Sequence, residues 1–331
     1  MTGCRWLALA ALIALLLAAP LVVSGYLVFQ LSMILVLSIA LLGLNLVTGY
    51  SGQTSLGHGA FYAIGAYTMA IAMEGWSVPY PLALLLAGLV AGVVGWLIGL
   101  PALRLHGHQL ALATFAVGVT LPQLLKSKSL SGFTGGSQGL VVIAPSAPWG
   151  LALTPEQWVY YLCVGSALLL FALAALLVKG KIGRALVALR DHPIAATTMG
   201  VPLARYKTSV FALSAAYTGV AGALGALTVQ FIAPDSFSML LSISLLVGVV
   251  VGGLATLSGA VWGAVFIQLV PNVAESLSKS APWLVYGVLL VAVIVFMPSG
   301  IAGTLGRLRL RASEPDSSLS PNPLTTTGDK P

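Results

Sequence analysis

One polar segment interrupts a chain that otherwise consists of apolar runs: KGKIGRALVALRDHPIAATTMGVPLARYK, from Lys179 to Lys207. The segment carries six Lys or Arg residues and one Asp, in a 331-residue protein of which 7% is charged. Soluble domains carry about 25% charged residues, so this chain has too few charges to cover a water-exposed surface. With a mean hydropathy of +1.01, the composition predicts a polytopic helical membrane protein with one polar segment in its middle.

The apolar runs on both sides of this segment predict the membrane spans. They cover residues 7–25, 28–48, 55–73, 81–100, 109–125, 157–178, 208–229, 239–257, 259–275 and 283–303. Runs of this length suit transmembrane α-helices. The sequence therefore predicts an all-α, polytopic transmembrane helical bundle of about ten spans, in a range of about 8–10.

The distribution of Lys and Arg predicts the orientation of the bundle. If the N-terminus lies inside, eleven of these residues fall on inner connections, and only Lys126, Lys128 and Lys279 fall on outer ones. Such an excess of cations on inner loops predicts that both termini are cytoplasmic. It also explains the net charge of +7 better than a nucleic-acid surface does, because nearly every cation lies just beyond an apolar run.

Three parts follow from this arrangement. Residues 1–29 are an N-terminal span or signal anchor, with a cleaved signal peptide as the alternative. Residues 30–304 are the membrane domain, with residues 179–207 as a cytoplasmic loop. Residues 305–331 are a tail that is first basic and then rich in Ser, Thr and Pro, which predicts disorder.

The first half of the polar segment predicts one short helix. Residues 183–190 place Leu186 and Leu189 on one side, as an amphipathic helix does. The sequence Asp191-His192-Pro193 then ends this helix, because the residue before a proline disfavours helical backbone angles.

The second half predicts a smaller helix that is capped at both ends. Pro193 suits a first helical position, where a missing N–H costs nothing, and Gly200 suits the position just beyond a helix end. Ala195 and Ala196 are expected on its surface, where small side chains let a partner groove approach closely. An inert basic loop is the alternative, but it explains only the charges. The predicted docking loop comprises Arg184, Arg190, Asp191, Pro193, Ala195, Ala196 and Gly200.

A second unusual stretch is NLVTGYSGQTSLGHGAFYAIGAY, from Asn45 to Tyr67. The apolar run inside it, residues 60–73, would reach only about 21 Å as a helix, against a hydrocarbon core of about 30 Å. Polar residues before it must therefore lie at membrane depth, either along a translocation path or in a tight turn of small residues between packed helices. Both alternatives stay open. The path candidates are Asn45, Thr48, Ser51, Gln53, Ser55 and His58, although a histidine here is also typical of a packed, hydrogen-bonded side chain.

Several signatures are missing from the sequence. No Asp, Glu, Lys or Arg lies in the middle of an apolar segment, which disfavours a proton-driven carrier. The glycine-rich outer loop SGFTGGSQG lacks the GK[ST] of a phosphate-binding loop and is expected to pack over the spans. His106 and His108 are too few for a metal site. We expect no catalytic residue, no metal and no cofactor on this chain, and an energy source on another subunit.

Three stretches resemble the LivM-type permease subunit of bacterial ABC importers for branched-chain amino acids. They are LNLVTGYSGQTSLGHGAFYAIGAYTMA (Leu44–Ala70), TGGSQGL (Thr134–Leu140) and GRALVALRDHPIAATTMGVPLARYKTSVFALSAAYTGVAGAL (Gly183–Leu224). The last stretch is similar to the coupling motif of ABC permeases, Glu-Ala-Ala, three residues and Gly. Ala195, Ala196 and Gly200 match it, whereas Ile194 stands in place of the glutamate.

The resemblance implies a set of partners and a function. It implies a second homologous permease, two ATP-hydrolysing subunits that bind the ATP, an extracytoplasmic solute-binding protein, and a place in the bacterial inner membrane. The chain would then form part of the translocation path for branched-chain amino acids. A permease for urea or short amides, a stand-alone secondary carrier and a structural scaffold are the alternatives.

Overall fold

The protein is described by a computed structural model that covers residues 14–102, 108–148, 153–277 and 281–311. A helix lies on each of the ten apolar segments, and four shorter helices lie between or after them. In chain order the helices are α1 (14–22), α2 (Gly25–Asn45), α3 (His58–Ala70), α4 (Tyr80–Ala102), α5 (His108–Leu125), α6 (Ser131–Thr134), α7 (Pro155–Lys179), α8 (Lys181–Asp191), α9 (Pro193–Thr198), α10 (Leu203–Val229), α11 (Met239–Gly252), α12 (Leu257–Leu277), α13 (Pro282–Phe296) and α14 (Gly300–Arg311).

Five helices of the described residues are long and apolar enough to cross a membrane: Gly25–Tyr50, Tyr80–Pro101, Pro155–Lys179, Leu203–Val229 and Leu257–Ser276. Parts of α5, α11 and α13 form shorter apolar helices. An apolar helix suits a membrane because it pairs its backbone groups internally. The prediction of an all-α membrane bundle is confirmed, while the count of ten spans and the cytoplasmic position of both termini stay predictions.

The connections between helices gather at two ends of the bundle. At one end, which we call the α8–α9 end, the end of α2 meets both α8 and the connection between α11 and α12. At the opposite end, Lys126 after α5 pairs with Asp235 before α11, and Glu74 after α3 accepts a hydrogen bond from the backbone N–H of Ile143. Successive long helices thus run in alternate directions, in the order that the apolar segments predict.

The glycine-rich loop lies at the opposite end and packs on the bundle, as expected, with Thr134 and Gly136 buried. It continues into a two-residue strand, β1 (Leu140–Val141), which pairs antiparallel with β2 (Phe231–Ile232) after α10. This small β-pair was not predicted, because two residues are too few to show the alternation that marks a strand.

The centre of the bundle is α10, which packs against α2, α3 and α4. Its contact with α3 is a backbone contact, since a Cβ at Gly222 would lie 1.9 Å from the carbonyl oxygen of Tyr62. Lipid gives apolar helices no hydrophobic reason to associate, so small residues that permit close packing take that role in membranes. The small residues of α10 therefore fix the place of α3, and with it the segment that precedes α3.

Candidate functional site

The residues between α2 and α3 form a helix break inside the bundle. The helix of α2 first widens into a π turn, Leu46–Tyr50, and residues 51–57 then have no regular structure. Ser51, Gln53 and Ser55 are buried, in alternation with more exposed neighbours. Backbone that leaves the helix inside a membrane bundle needs hydrogen-bond partners from the protein, because the hydrocarbon offers none.

Asn45 fastens this break to a second one. Its side chain is buried, donates through Nδ2 to the carbonyl of Thr256 at 2.7 Å, and accepts from the backbone N–H of Ala255 at 2.9 Å. Both partners lie in the connection between α11 and α12. One amide thus satisfies a donor and an acceptor of the other non-helical connection, which places the two interruptions side by side.

His58 begins α3 within a chain of hydrogen bonds. Its Nε2 lies 2.7 Å from Ser214 Oγ, and Ser214 in turn donates its hydroxyl hydrogen to the carbonyl of Gly43. Ser214 must therefore accept from His58, which places the ring hydrogen on Nε2. His58 Nδ1 is then an acceptor and takes the hydroxyl hydrogen of Ser55, 3.0 Å away. A neutral imidazole with its hydrogen on Nε2 satisfies both contacts.

Gln53 ties the middle of the break to its neighbours. Its Nε2 donates to Ser51 Oγ at 2.6 Å and, at 3.4 Å, to the carbonyl of Lys207 in α10. Thr48, in the π turn, donates to the carbonyl of Gln53 at 3.2 Å. These contacts hold the break against the first turns of α10, next to the polar segment.

The six path candidates are therefore brought together, but as a closed cluster. Each makes a hydrogen bond within the chain, and all but Thr48 are buried. The cavities of about 430 Å³ and 440 Å³ lie elsewhere, the first between α2, α7 and α10 and the second between α7, α8 and α10, and none of the six lines them. In this conformation the stretch is a packed turn, and its part in a translocation path stays a prediction.

The polar segment folds into the two helices that its pattern predicts. In α8, Leu186 and Leu189 are buried, so this helix is fixed to the bundle. In α9, Pro193 is the first residue, and Gly200 has a φ of +85° just after the helix end. The N–H groups of Gly200 and Val201 bond the carbonyls of Thr197 and Ala196, which is the Schellman arrangement.

The surface of α9 differs from the prediction at one residue. Ala195 is exposed as expected, but Ala196 is buried at 6% exposure, so its prediction as a surface residue was wrong. Ala196 packs inward because a six-residue helix lying on the bundle must turn one side toward it. The exposed side instead presents two large apolar side chains, Ile194 at 81% and Met199 at 86% exposure.

The charged residues of the segment point in different directions. Arg184 is exposed and reaches only the carbonyl of Lys179, at 3.4 Å. Arg190 donates through Nε to Asp191 Oδ1 at 2.8 Å, and this hydrogen bond holds the pKa of the Asp191 carboxyl below its usual value. Arg190 also donates through Nη1 to the carbonyl of Gly49, 2.8 Å away in the π turn. The helix break and the polar segment, two separate stretches in the sequence, therefore meet at one arginine.

Sequence reasoning missed the partners of the break on other helices. Thr114 Oγ1 in α5 accepts from the N–H of Leu56, and Ser242 Oγ in α11 accepts from the N–H of Gly59. A single hydroxyl on an apolar helix does not reveal its hydrogen-bond partner in the local sequence, because the packing of distant segments decides which groups it meets.

No group of three or more His, Cys, Asp or Glu residues that could hold a metal occurs within the part of the chain that the structure describes. His106, residues 1–13 and residues 312–331 lie outside the described residues.

Residues 26–297 match the protein family described as "Branched-chain amino acid transport system / permease component". The chain is 32% identical to the high-affinity branched-chain amino acid transport system permease protein LivM of Salmonella typhimurium, over 92% of this chain and 77% of that protein. It is 33% identical to LivM of Escherichia coli, over 88% and 74%. It is 28% identical to the probable branched-chain amino acid transport permease protein LivH of Methanocaldococcus jannaschii, over 79% and 87%. No solved structure matches the chain.

The hydrogen-bond chain through His58 can be tested by removing the hydroxyl oxygen of Ser214. Replacing Ser214→Ala leaves the buried Nε2–H of His58 and the carbonyl of Gly43 without their shared partner, which costs about 1–3 kcal/mol. We expect a lower midpoint of thermal unfolding in detergent. The matched control is Ser166→Ala in α7, where no hydrogen bond to another helix is lost. Equal midpoints for the two variants would contradict the role of Ser214.

Proposed function

Because the chain belongs to the family of branched-chain amino acid permease components, we propose that it is a membrane-spanning permease subunit of an ATP-driven importer. In this role it forms the translocation path for branched-chain amino acids together with a second, homologous permease. The observation that carries the proposal is the family match over residues 26–297, which takes in both the helix break and the polar segment. The chain itself is a transporter subunit and not an enzyme.

The pairing with a second permease is supported by the kinds of relative that the chain resembles. It is similar over most of its length to proteins named LivM and also to one named LivH, so it shares sequence features with two differently named permeases. We place the path at the contact between the two permeases. The break and its six candidate residues would then form the gate near the α8–α9 end, closed in the conformation described above.

The exposed helix α9 is the proposed docking element for the ATP-hydrolysing subunits. Two such subunits would bind the permease pair, and an extracytoplasmic solute-binding protein would deliver the amino acid at the opposite end. Ile194 and Met199 supply an apolar contact, and α9 carries no acidic side chain. The groove on the ATPase should therefore be apolar where it meets α9, with acidic groups around it to face the neighbouring Lys and Arg residues.

We also propose a location for the protein and a division of the chain into three parts. The protein would lie in the bacterial inner membrane with about ten spans and both termini in the cytoplasm. Residues 1–29 would be an N-terminal span or signal anchor, residues 30–304 the permease domain and residues 305–331 a cytoplasmic tail. A urea or short-amide permease and a stand-alone carrier find less support, because the relatives are named for branched-chain amino acids.

The function is tested with the assembled importer. We expect leucine, isoleucine and valine, presented by the binding protein, to stimulate ATP hydrolysis and to accumulate in proteoliposomes, while urea and acetamide do neither. The purified chain alone should transport none of them under a sodium or proton gradient. Stimulation by urea, or uptake by the chain alone, would contradict the proposal.

The docking role of α9 is tested by co-purification with the ATPase subunits. Replacing Met199→Asp places a charge in the apolar contact, so we expect the subunits to be lost from the purified complex. The control is Ile143→Asp, an exposed apolar residue (68%, against 86% for Met199) at the opposite end. Replacing Gly200→Val should weaken the complex, because the backbone φ at residue 200 is positive and Val adopts such angles only with strain. Replacing Gly200→Asn should retain the complex, because Asn tolerates such angles. A stable complex with Met199→Asp would contradict the docking role of α9.

A further inference from the structure

Arg190 belongs to the polar segment, but its side chain turns toward the bundle. Its guanidinium makes two hydrogen bonds of 2.8 Å, one to the Asp191 carboxylate and one to the Gly49 carbonyl. About a third of the side chain, 33%, is exposed. Arg190 lies near the end of α8, directly before α9, whereas the Gly49 carbonyl lies in the helix break. Among the described side chains of α8 and α9, Arg190 is the one with a hydrogen bond to the π turn.

The acceptor is a carbonyl that the local backbone leaves short of partners. A π turn followed by an irregular segment ends the regular pairing of α2, so the last carbonyls need donors from elsewhere. The N–H of Gln53 serves the carbonyl of Val47, and Arg190 serves that of Gly49. A hydrogen bond from a charged donor is among the stronger ones in proteins. Arg190 thus completes the end of α2.

The aliphatic part of the Arg190 side chain also makes a defined contact. It lies over Gly52, where a Cβ would come within 2.7 Å of Arg190 Cγ. Gly52 also has a φ of +69°, a backbone angle that glycine adopts without strain. The break is therefore shaped to receive this side chain, and Asp191 holds the guanidinium in the orientation that reaches Gly49.

The other end of the link is the junction between α8 and α9. Leu186 and Leu189 bury one side of α8, and the N–H of Ala196 in α9 bonds the carbonyl of His192 at the junction between the two helices. A displacement of α9 would therefore act on the C-terminal end of α8, where Arg190 lies, while Leu186 and Leu189 keep α8 packed on the bundle. On the bundle side, the break leads within a few residues to His58 and its contacts with α10.

We propose that Arg190 is a positioning residue that joins the docking helix to the helix break, so that movement of α9 is transmitted to the gate through the Gly49 carbonyl. The inference rests on the proposed function, since it needs an ATPase that moves α9. A residue that served only to hold the fold together would affect assembly, uptake and ATP hydrolysis alike. A linking residue changes the ratio of uptake to hydrolysis.

The experiment uses the full importer, with both permeases, the ATPase subunits and the binding protein, in proteoliposomes. For Arg190→Ala we expect leucine uptake per ATP hydrolysed to fall about tenfold, a larger loss than any fall in assembly or in ATP hydrolysis. Arg190→Lys should recover part of the ratio, because one ammonium nitrogen replaces the two guanidinium nitrogens that reach Asp191 and Gly49 separately.

Two further variants test whether the effect is specific to the contact between Arg190 and the helix break. Arg205→Ala removes an exposed arginine at the same end, and should leave the uptake ratio unchanged. Gly52→Ala should lower the ratio as Arg190→Ala does, and the double variant should be no worse than the more affected single one, since both act on one contact.

A wild-type ratio in Arg190→Ala would overturn the proposal, as would a parallel fall in assembly, uptake and hydrolysis. If Arg190→Ala does not assemble, Arg190→Met decides, because it keeps an aliphatic side chain over Gly52 but has no donor for the Gly49 carbonyl. A wild-type ratio in Arg190→Met would also overturn the proposal. Failure of the proposed function looks different, because the wild-type complex itself would then show no leucine-stimulated hydrolysis.

Discussion

The constraint on which this structure depends is that polar backbone in a membrane bundle must find its partners within the protein. Residues 51–57 leave the helical pattern inside the bundle and so require donors and acceptors from several helices. Asn45, His58 and Arg190 supply or organise them, and each reaches a segment far away in the sequence. Because these partners come from different elements, the break cannot change shape without changing contacts with several helices at once.

The packing of α10 makes this arrangement geometrically feasible. Its small residues bring α3 within backbone contact, and its polar groups, Ser214 and the carbonyl of Lys207, lie where the break needs them. The same helix begins shortly after α9. One helix therefore has one end beside the surface proposed for the ATPase and its middle beside the proposed gate, which gives the gate two connections to that surface, through α10 and through Arg190.

The sequence predicted features that depend on local chemistry. The capped helix α9 could be read from Pro193 and Gly200, because a missing N–H and a positive φ are properties of single residues. The burial of Leu186 and Leu189 could be read from helical spacing. The partners of His58 could not be read, because Ser214 lies 156 positions away and carries no signal of its own. Ala196 was placed on the wrong side, since six residues are too few to define which face is buried.

We propose that the helix break is closed at rest and that it opens in response to movement of α9. Amide hydrogen exchange of residues 51–59 in the intact importer measures this directly, because the N–H groups of Gln53, Leu56, Gly57 and Gly59 are all hydrogen-bonded in the closed form. For these N–H groups we predict slow exchange without nucleotide and faster exchange with a non-hydrolysable ATP analogue. This response to nucleotide should be lost in Arg190→Ala. Exchange that is fast at rest, or that ignores the nucleotide, would contradict the proposal.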